Sequence, residues 1–305
     1  MQMKQLFIVM LDYASLAAVA AVVREGSFER AAQMLGITPS AVSQRVRGYE
    51  ERLGIVLIVR GQPCTATDQG RQLCAHFDKV RLLEADLTAI PALDGASMQR
   101  PSVGVAVNAD SLATWFPHAM TGFADRTGMT LGLVLEDEGH SAERLRSGEV
   151  LAVVTSDPDP VPGCRTIALG AMDYMACASP AFVQRYFPAG VDGAGLARAP
   201  VMRFNRKDRL QRLWASQAFG VELTAPTHWI PSTQAFLDLA LAGLAWGLQP
   251  RALAQAHIES GRLIDLAPDH PVRVPLFWTV SRLHAQVLRT LTETVRAAAH
   301  DHLAS

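Results

Sequence analysis

The sequence predicts a two-part chain: a small helical domain that ends in a β-ribbon and a long helix, then a larger α/β domain in two lobes. Three observations lead there. Short helices bounded by capping residues and glycines fill the first sixty or so positions; an apolar stripe with seam spacing follows; and beyond residue 102 strands alternate with helices. At 305 residues the chain is also too long for one ordinary core and fits two or three domains.

Asp12 caps a first helix through Arg24, with Leu16, Val19, Val22 and Val23 on one face and Gly26 as its stop. Ser27 caps a brief second helix, Phe28 to Leu35, whose small pair Ala31 and Ala32 lets a neighbour approach closely; Gly36 ends it. Thr38 caps the third, which opens on Pro39, favoured there because its missing N–H has no helical partner, and runs to about Leu53. Val42, Val46 and Tyr49 form its buried stripe, leaving Ser40, Ser43, Gln44, Arg45 and Arg47 outside. Two helices around a glycine turn, the second polar and basic near its start, make a helix-turn-helix. Ile55 to Val59 then reads as a strand, Gly61 to Pro63 as a turn and Cys64 to Ala66 as a return strand, which together form a wing.

Thr67 caps a long helix to about Ala89, in which Leu73, Phe77, Val80, Glu84 and Leu87 recur at alternating four- and three-residue steps. That spacing assigns Leu73, Phe77, Val80 and Leu87 to dimerisation. Pro91 to Pro101, small and polar, reads as a hinge linker. Beyond it Val103 to Val107, Leu131 to Leu135 and Val150 to Val154 are strands of a first lobe. Met175 to Ala178, Val201 to Phe204 and His228 to Ile230 are strands of a second, with helices near Arg209 to Phe219 and Thr233 to Leu241; Pro275 to Val280 is a late strand before a final helix. The domains expected are therefore a winged helix-turn-helix over 1–66, a linker and dimerisation helix over 67–90, a hinge over 91–101 and a two-lobed domain, like a periplasmic binding protein, over 102–305.

Composition narrows function. Hydrophobic residues make up 49% and charged residues 19%, as in a soluble globular protein, and no apolar run spans a bilayer. The opening residues lack the core and cleavage site of a signal peptide, and Met10 makes them either an upstream start or a frayed extension. Cys64, Cys74, Cys164 and Cys177 are scattered without metal-site spacing, so a reduced, cytoplasmic protein without metal or cofactor is expected. A net charge of −1 means that nucleic acid must be met by a local basic surface. There is no P-loop, no G-x-S-x-G and no H-E-x-x-H; Gly193-x-Gly195 lacks the third glycine of a dinucleotide site, and His76, His118 and His140 stand alone. An enzyme is therefore not expected. A solute-binding module is the stronger rival, yet it leaves residues 12 to 89 without a purpose.

On the third helix Gln44 can pair with adenine and Arg45 with guanine, beside Ser40 and Ser43, while Arg47, Arg52 and Arg60 suit phosphates. The plain alternative is a solvated polar helix face. In the α/β part, ligands bind outside the carboxyl ends of strands, and three loops meet that condition: Asn108, Asp110 and Ser111; Glu136, Asp137 and Glu138; Thr155 and Ser156. Facing Ser232 and Thr233 at a helix start, they would form a polar cleft for an amino acid, with the acidic run on a cationic side chain and the Asn108 to Ser111 loop on the α-carboxylate. Each of these residues is otherwise an ordinary cap or a solvated loop. Arg203, Arg206, Lys207 and Arg209 form a basic cluster with no role assigned at this level.

These residues resemble the LysR-type transcriptional regulators from Leu11 to about His300. The matching elements are Gly26-Ser27-Phe28, Ala31-Ala32, Leu35, Ser40-Ala41-Val42-Ser43, Glu50, Leu53-Gly54, Arg60 and Thr67-x-x-Gly70, then Leu145-x-x-Gly148-Glu149 and Ala242 to Pro250. Tyr49 stands where leucine is usual, and Gly61 to Cys64 lacks the basic residue that often follows Arg60. Phe28 to Gln33, Val107 to Trp115 and Glu136 to Glu138 are similar to the ArgP/LysG branch, some members of which are called inhibitors of chromosome initiation. The resemblance implies a DNA-binding regulator sensing lysine or arginine, control of amino-acid export or related genes, a homotetramer built as a dimer of dimers, and double-stranded operator DNA and RNA polymerase as partners. A regulator of this type with a different small-molecule effector is the alternative.

Overall fold

The computed structural model describes residues 11–86, 102–135 and 141–304. It divides into two units, the first holding the chain up to Pro101 with the short segments Arg146–Val150 and Leu283–Ala285, the second holding the remainder.

In the first unit every helix begins on the cap its sequence supplies. Helices α1 (Tyr13–Glu25), α2 (Phe28–Leu35) and α3 (Pro39–Leu53) start where Asp12, Ser27 and Thr38 accept backbone N–H bonds from Ser15, from Glu29 and Arg30, and from Ala41. They end on Gly26, Gly36 and Gly54 at φ of 66°, 64° and 68°, left-handed backbone that a side chain disfavours. The α1 residues Leu16, Val19 and Val22 pack with Ala31, Ala32, Val42, Val46, Tyr49 and Leu57 into one core. After α3 comes an antiparallel ribbon of two residues a side, β1 (Ile58–Val59) and β2 (Thr65–Ala66), shorter than expected. Glu50 fixes its start: the carboxylate accepts from the N–H groups of Leu57 at 2.7 Å and Ile58 at 3.2 Å. Helix α4 (Asp68–Ala85) follows, capped by Thr67, whose hydroxyl accepts from Gly70 N–H and donates to the Val56 carbonyl at 2.8 Å. The Thr-x-x-Gly motif thus ties ribbon to helix, and a Cβ on Gly70 would lie 2.1 Å from the Leu57 carbonyl oxygen.

The second unit opens with β3 (Val103–Val107), α5 (Ala109–Ala113), α6 (Phe116–Thr127), β4 (Leu131–Leu135), α7 (Ser141–Ser147) and β5 (Ala152–Thr155). It continues through β6 (Cys164–Ala178), α8 (Pro180–Tyr186), α9 (Gly193–Arg198), β7 (Val201–Arg203), α10 (Leu210–Phe219) and β8 (Thr227–Trp229). It closes with α11 (Thr233–Leu241), β9 (Gly247–Pro250), α12 (Arg251–Glu259), β10 (Ile264–Asp265), β11 (Val272–Ser281) and α13 (Gln286–His302). β3 runs parallel between β4 and β5, β11 returns antiparallel on β5, and β6 joins β11 before pairing with β9 and β10.

Two expectations need correcting. Met175 to Ala178 does not begin a separate set of strands but ends the 15-residue β6, whose earlier part already pairs with β11 from Cys164 onward. Among the described residues of this unit, only β7 and β8 stand outside the large sheet, as a parallel pair. The strand expected over Val150 to Val154 lies at Ala152–Thr155.

Candidate functional site

Two surfaces of this fold suit chemistry. The first is the outer face of α3. With Val42, Val46 and Tyr49 turned into the core, helical period leaves Ser40, Gln44, Arg45 and Arg47 exposed and Ser43 half-buried. Gln44 and Arg45 have no hydrogen-bond or ion partner among the described residues. Their neighbours are engaged: Arg47 donates to Glu51 at 2.8 Å, and Ser40 and Thr38 share a hydroxyl contact of 3.0 Å. Arg52 donates to Asp12 at 2.6 Å and lies over the Tyr49 ring, fastening the end of α3 to the start of α1. That pairing and the cap bonds hold the Asp12 carboxyl well below the usual carboxylate range. Arg60, assigned to a phosphate, sits over the Phe28 ring at 5.3 Å.

The stripe on α4 divides. Leu73 and Phe77 pack against the core of their own unit, so part of the expected seam has an internal use. Val80 is half-buried, Leu83 is exposed, and Leu87 lies outside the described residues.

The second surface is a cavity of about 810 Å³ in the second unit, within the roughly 300–1,000 Å³ range of small-molecule sites. Strand ends build it. Asn108 and Asp110 follow β3, Thr155 and Ser156 end β5, and Thr233 starts α11; all five line the cavity. Ser111 and Ser232 do not: Ser111 is fully buried, and the Ser232 hydroxyl caps α11 by accepting from Ala235 N–H. Glu136, Asp137 and Glu138 lie outside the described residues.

Asp110 organises one wall. Its carboxylate accepts from the Tyr174 hydroxyl on β6 at 2.7 Å and from the Thr233 hydroxyl on α11 at 2.6 Å. Burial pushes its pKa up, those two bonds oppose the rise, and Asp208 adds to it. An ionised carboxylate in that position would repel an α-carboxylate, which weighs against the expectation that the Asn108 to Ser111 loop holds one.

The basic cluster finds a place on another wall. Arg206, Lys207 and Arg209 line the cavity on the loop between β7 and α10. Asp208 staples that loop by accepting from the N–H groups of Phe204 at 2.8 Å and Leu210 at 3.0 Å. Arg203, donating to the Asp208 carbonyl, and Arg206 both lie over the Trp229 ring. Gln211 and Gln249 also line the cavity. Sequence reasoning missed them, with Tyr174; a glutamine inside the apolar run Leu244 to Pro250 was the one available signal.

The cavity therefore combines a buried carboxyl with a cationic loop, the pattern that suits a zwitterion. Among the described residues no cluster could hold a metal ion, and no helix is long and apolar enough to cross a membrane. The four cysteines are free; burial raises Cys177 and pushes Cys74 up to about 12, which keeps both as unreactive thiols.

A helix-turn-helix unit joined to a unit with a ligand-sized cavity defines the class of bacterial one-chain regulators. Residues 13–71 match the family described as bacterial regulatory helix-turn-helix protein, lysR family, and residues 97–300 match the LysR substrate binding domain. The chain belongs to the LysR family, as a transcriptional regulator of the ArgP/LysG type and not an enzyme. It is 43% identical over 290 residues to the HTH-type transcriptional regulator LysG of Mycobacterium tuberculosis, covering 95% of this chain and 94% of that one. The crystal structure of ArgP from Mycobacterium tuberculosis matches with a TM-score of 0.77 at 42% identity, covering 97% of this chain and all of that one. Full-length LysG from Corynebacterium glutamicum, solved with bound effector Arg, matches with a TM-score of 0.68 at 36% identity over 97% of this chain and all of that one.

Proposed function

We propose that this regulator senses a basic amino acid, arginine or lysine, in the cavity of its second unit and controls amino-acid export or related genes from the cytoplasm. The observation that supports it most is Asp110, a carboxylate set in the cavity wall with two hydroxyls already donating to it and lone pairs to spare for a cation. The arginine bound in the relative from Corynebacterium glutamicum agrees with that polarity. In this reading Asp110 meets one positive group of the ligand and the Arg206 to Arg209 loop meets its carboxylate.

In this reading the second unit works as two lobes, with the paired strands β6 and β11 passing between them and the cavity as the cleft. Ligand binding closes the cleft and biases the packing of a homotetramer, with Val80 and Leu87 among the residues of the dimer seam. That changes the spacing of paired DNA-binding units only if the ligand prefers one arrangement. On DNA, α3 enters the major groove, with Gln44 and Arg45 on base edges, Ser40 and Ser43 beside them, Arg47, Arg52 and Arg60 toward phosphates, and the β1–β2 ribbon acting as a wing.

Calorimetric titration of the full chain with arginine, lysine, leucine and glutamate tests the effector assignment. Binding of the basic pair and rejection of the other two is expected, since leucine leaves Asp110 without a cation and glutamate brings a second anion. Tight binding of leucine or glutamate overturns it.

A further inference from the structure

Gln249 has no exposed surface and Gln211 only 1%, and both line the cavity. Neither amide atom of Gln249, nor the Oε1 of Gln211, has a hydrogen-bond partner among the described residues. Asn108 repeats the pattern: it stands at the N-cap of α5, where its oxygen would normally accept a backbone N–H, yet it makes no capping bond and its Oδ1 is buried without a partner. Unpaired amides inside a protein cost stability, and folded chains keep few of them. Here three share one cavity, and each comes from a different element: the end of β3, α10 and β9.

The set is weighted toward acceptors. Three amide oxygens and the Asp110 carboxylate accept, against one unpaired donor, the Nε2 of Gln249, so a ligand that satisfies the set donates along several directions. A carboxylate donates nothing. An ammonium carries its three N–H groups on one atom, whereas a guanidinium is planar, permanently charged and presents five N–H donors in a fixed fork, the wider array for acceptors carried on three elements.

We propose that Gln249, Gln211 and Asn108 form a guanidinium cradle that makes the cavity select arginine over lysine. This rests on the reading of the cavity as a basic amino-acid site and adds which member of the class it prefers.

The test is calorimetric titration of the full chain and its Gln249→Leu variant with arginine and lysine. The parent is expected to bind arginine at least about tenfold more tightly than lysine. In Gln249→Leu, arginine affinity falls roughly 10- to 150-fold, as for a lost hydrogen bond to a charged group, while lysine changes by no more than about threefold. The melting temperature without ligand should hold or rise, because leucine has nearly the same size and removes two unpaired amide atoms. Gln211→Leu supplies the same ratio should the first variant not fold. Equal affinities in the parent, or an unchanged arginine-to-lysine ratio in the variants, overturns the cradle. Failure of the parent to bind either basic amino acid overturns the underlying reading instead, so the two failures are distinct.

Discussion

Replacing Asp110 with asparagine removes one charge and one acceptor from the cavity while keeping the side chain's shape. The carboxylate offers about four lone-pair positions, of which Tyr174 and Thr233 use two, at 2.7 and 2.6 Å, leaving two for a ligand cation. Asparagine has one acceptor oxygen, already claimed by a hydroxyl, and turns an N–H₂ toward the other. Loss of a hydrogen bond to a charged group costs about 1.5–3 kcal/mol, and stranding a buried charge without its counter-ion about 3–5 kcal/mol. Arginine affinity should therefore fall about 150-fold, where the two ranges meet at about 3 kcal/mol. Folding without ligand should be unharmed, because burial already disfavours the ionised carboxyl and asparagine removes that penalty. Calorimetry at neutral pH measures the affinity and thermal unfolding the stability. An Asp110→Asn protein that melts like the parent and binds arginine within about threefold of it would refute the assignment of Asp110 as the cation's partner.

The same carboxyl sets a pH dependence. Its pKa stands above the ordinary 3.8 without ligand, and a bound cation lowers it, so binding expels protons and arginine affinity rises with pH through that window, then levels off. Titrations in buffers of different ionisation enthalpy at mildly acid pH read the proton release; proton uptake would have the wrong sign. On α3, Gln44→Ala with Arg45→Ala should erase preference for a selected operator over random DNA, at ~1–3 kcal/mol per lost bidentate contact. Arg52→Ala should leave that preference in place, since a phosphate contact carries no sequence information, and should lower stability because its guanidinium holds Asp12; gel-shift competition and melting curves check the two. Gly70→Ala drives a Cβ to within 2.1 Å of the Leu57 carbonyl oxygen, a backbone atom that cannot swing aside, and should cost the first unit at least ~1–3 kcal/mol in denaturant unfolding. An unchanged midpoint would show that the ribbon and α4 are not locked together there.

The helical part of this fold is legible because its signals are local. Ser27, Thr38 and Thr67 cap within three residues of what they bond, and the glycines at 26, 36 and 54 stop helices through their own φ. The cavity is only half legible for the opposite reason. Strand ends and a helix start could be counted, which found Asn108, Asp110, Thr155, Ser156 and Thr233. Tyr174 and Thr233, however, reach Asp110 from 64 and 123 residues away, and no periodicity encodes that meeting. Gln249 hid in a run of apolar residues, where one glutamine reads as an irregularity rather than a wall. The basic cluster at 203–209 was visible as charge, but its use depends on how β7 and α10 turn the loop toward β3. β6 was cut short because Cys164 to Ala171 mixes polar and small residues without clean alternation; pairing with β11, not propensity, makes it a strand.

The most direct test of the whole scheme joins both surfaces in one experiment: DNase I footprinting of the full chain on a double-stranded operator selected from a random pool, across an arginine titration. The footprint should change in length or hypersensitive pattern, with a midpoint equal to the calorimetric affinity for arginine. A footprint that stays the same while calorimetry shows the cavity saturated would contradict the coupling of the cavity to the DNA-binding helix.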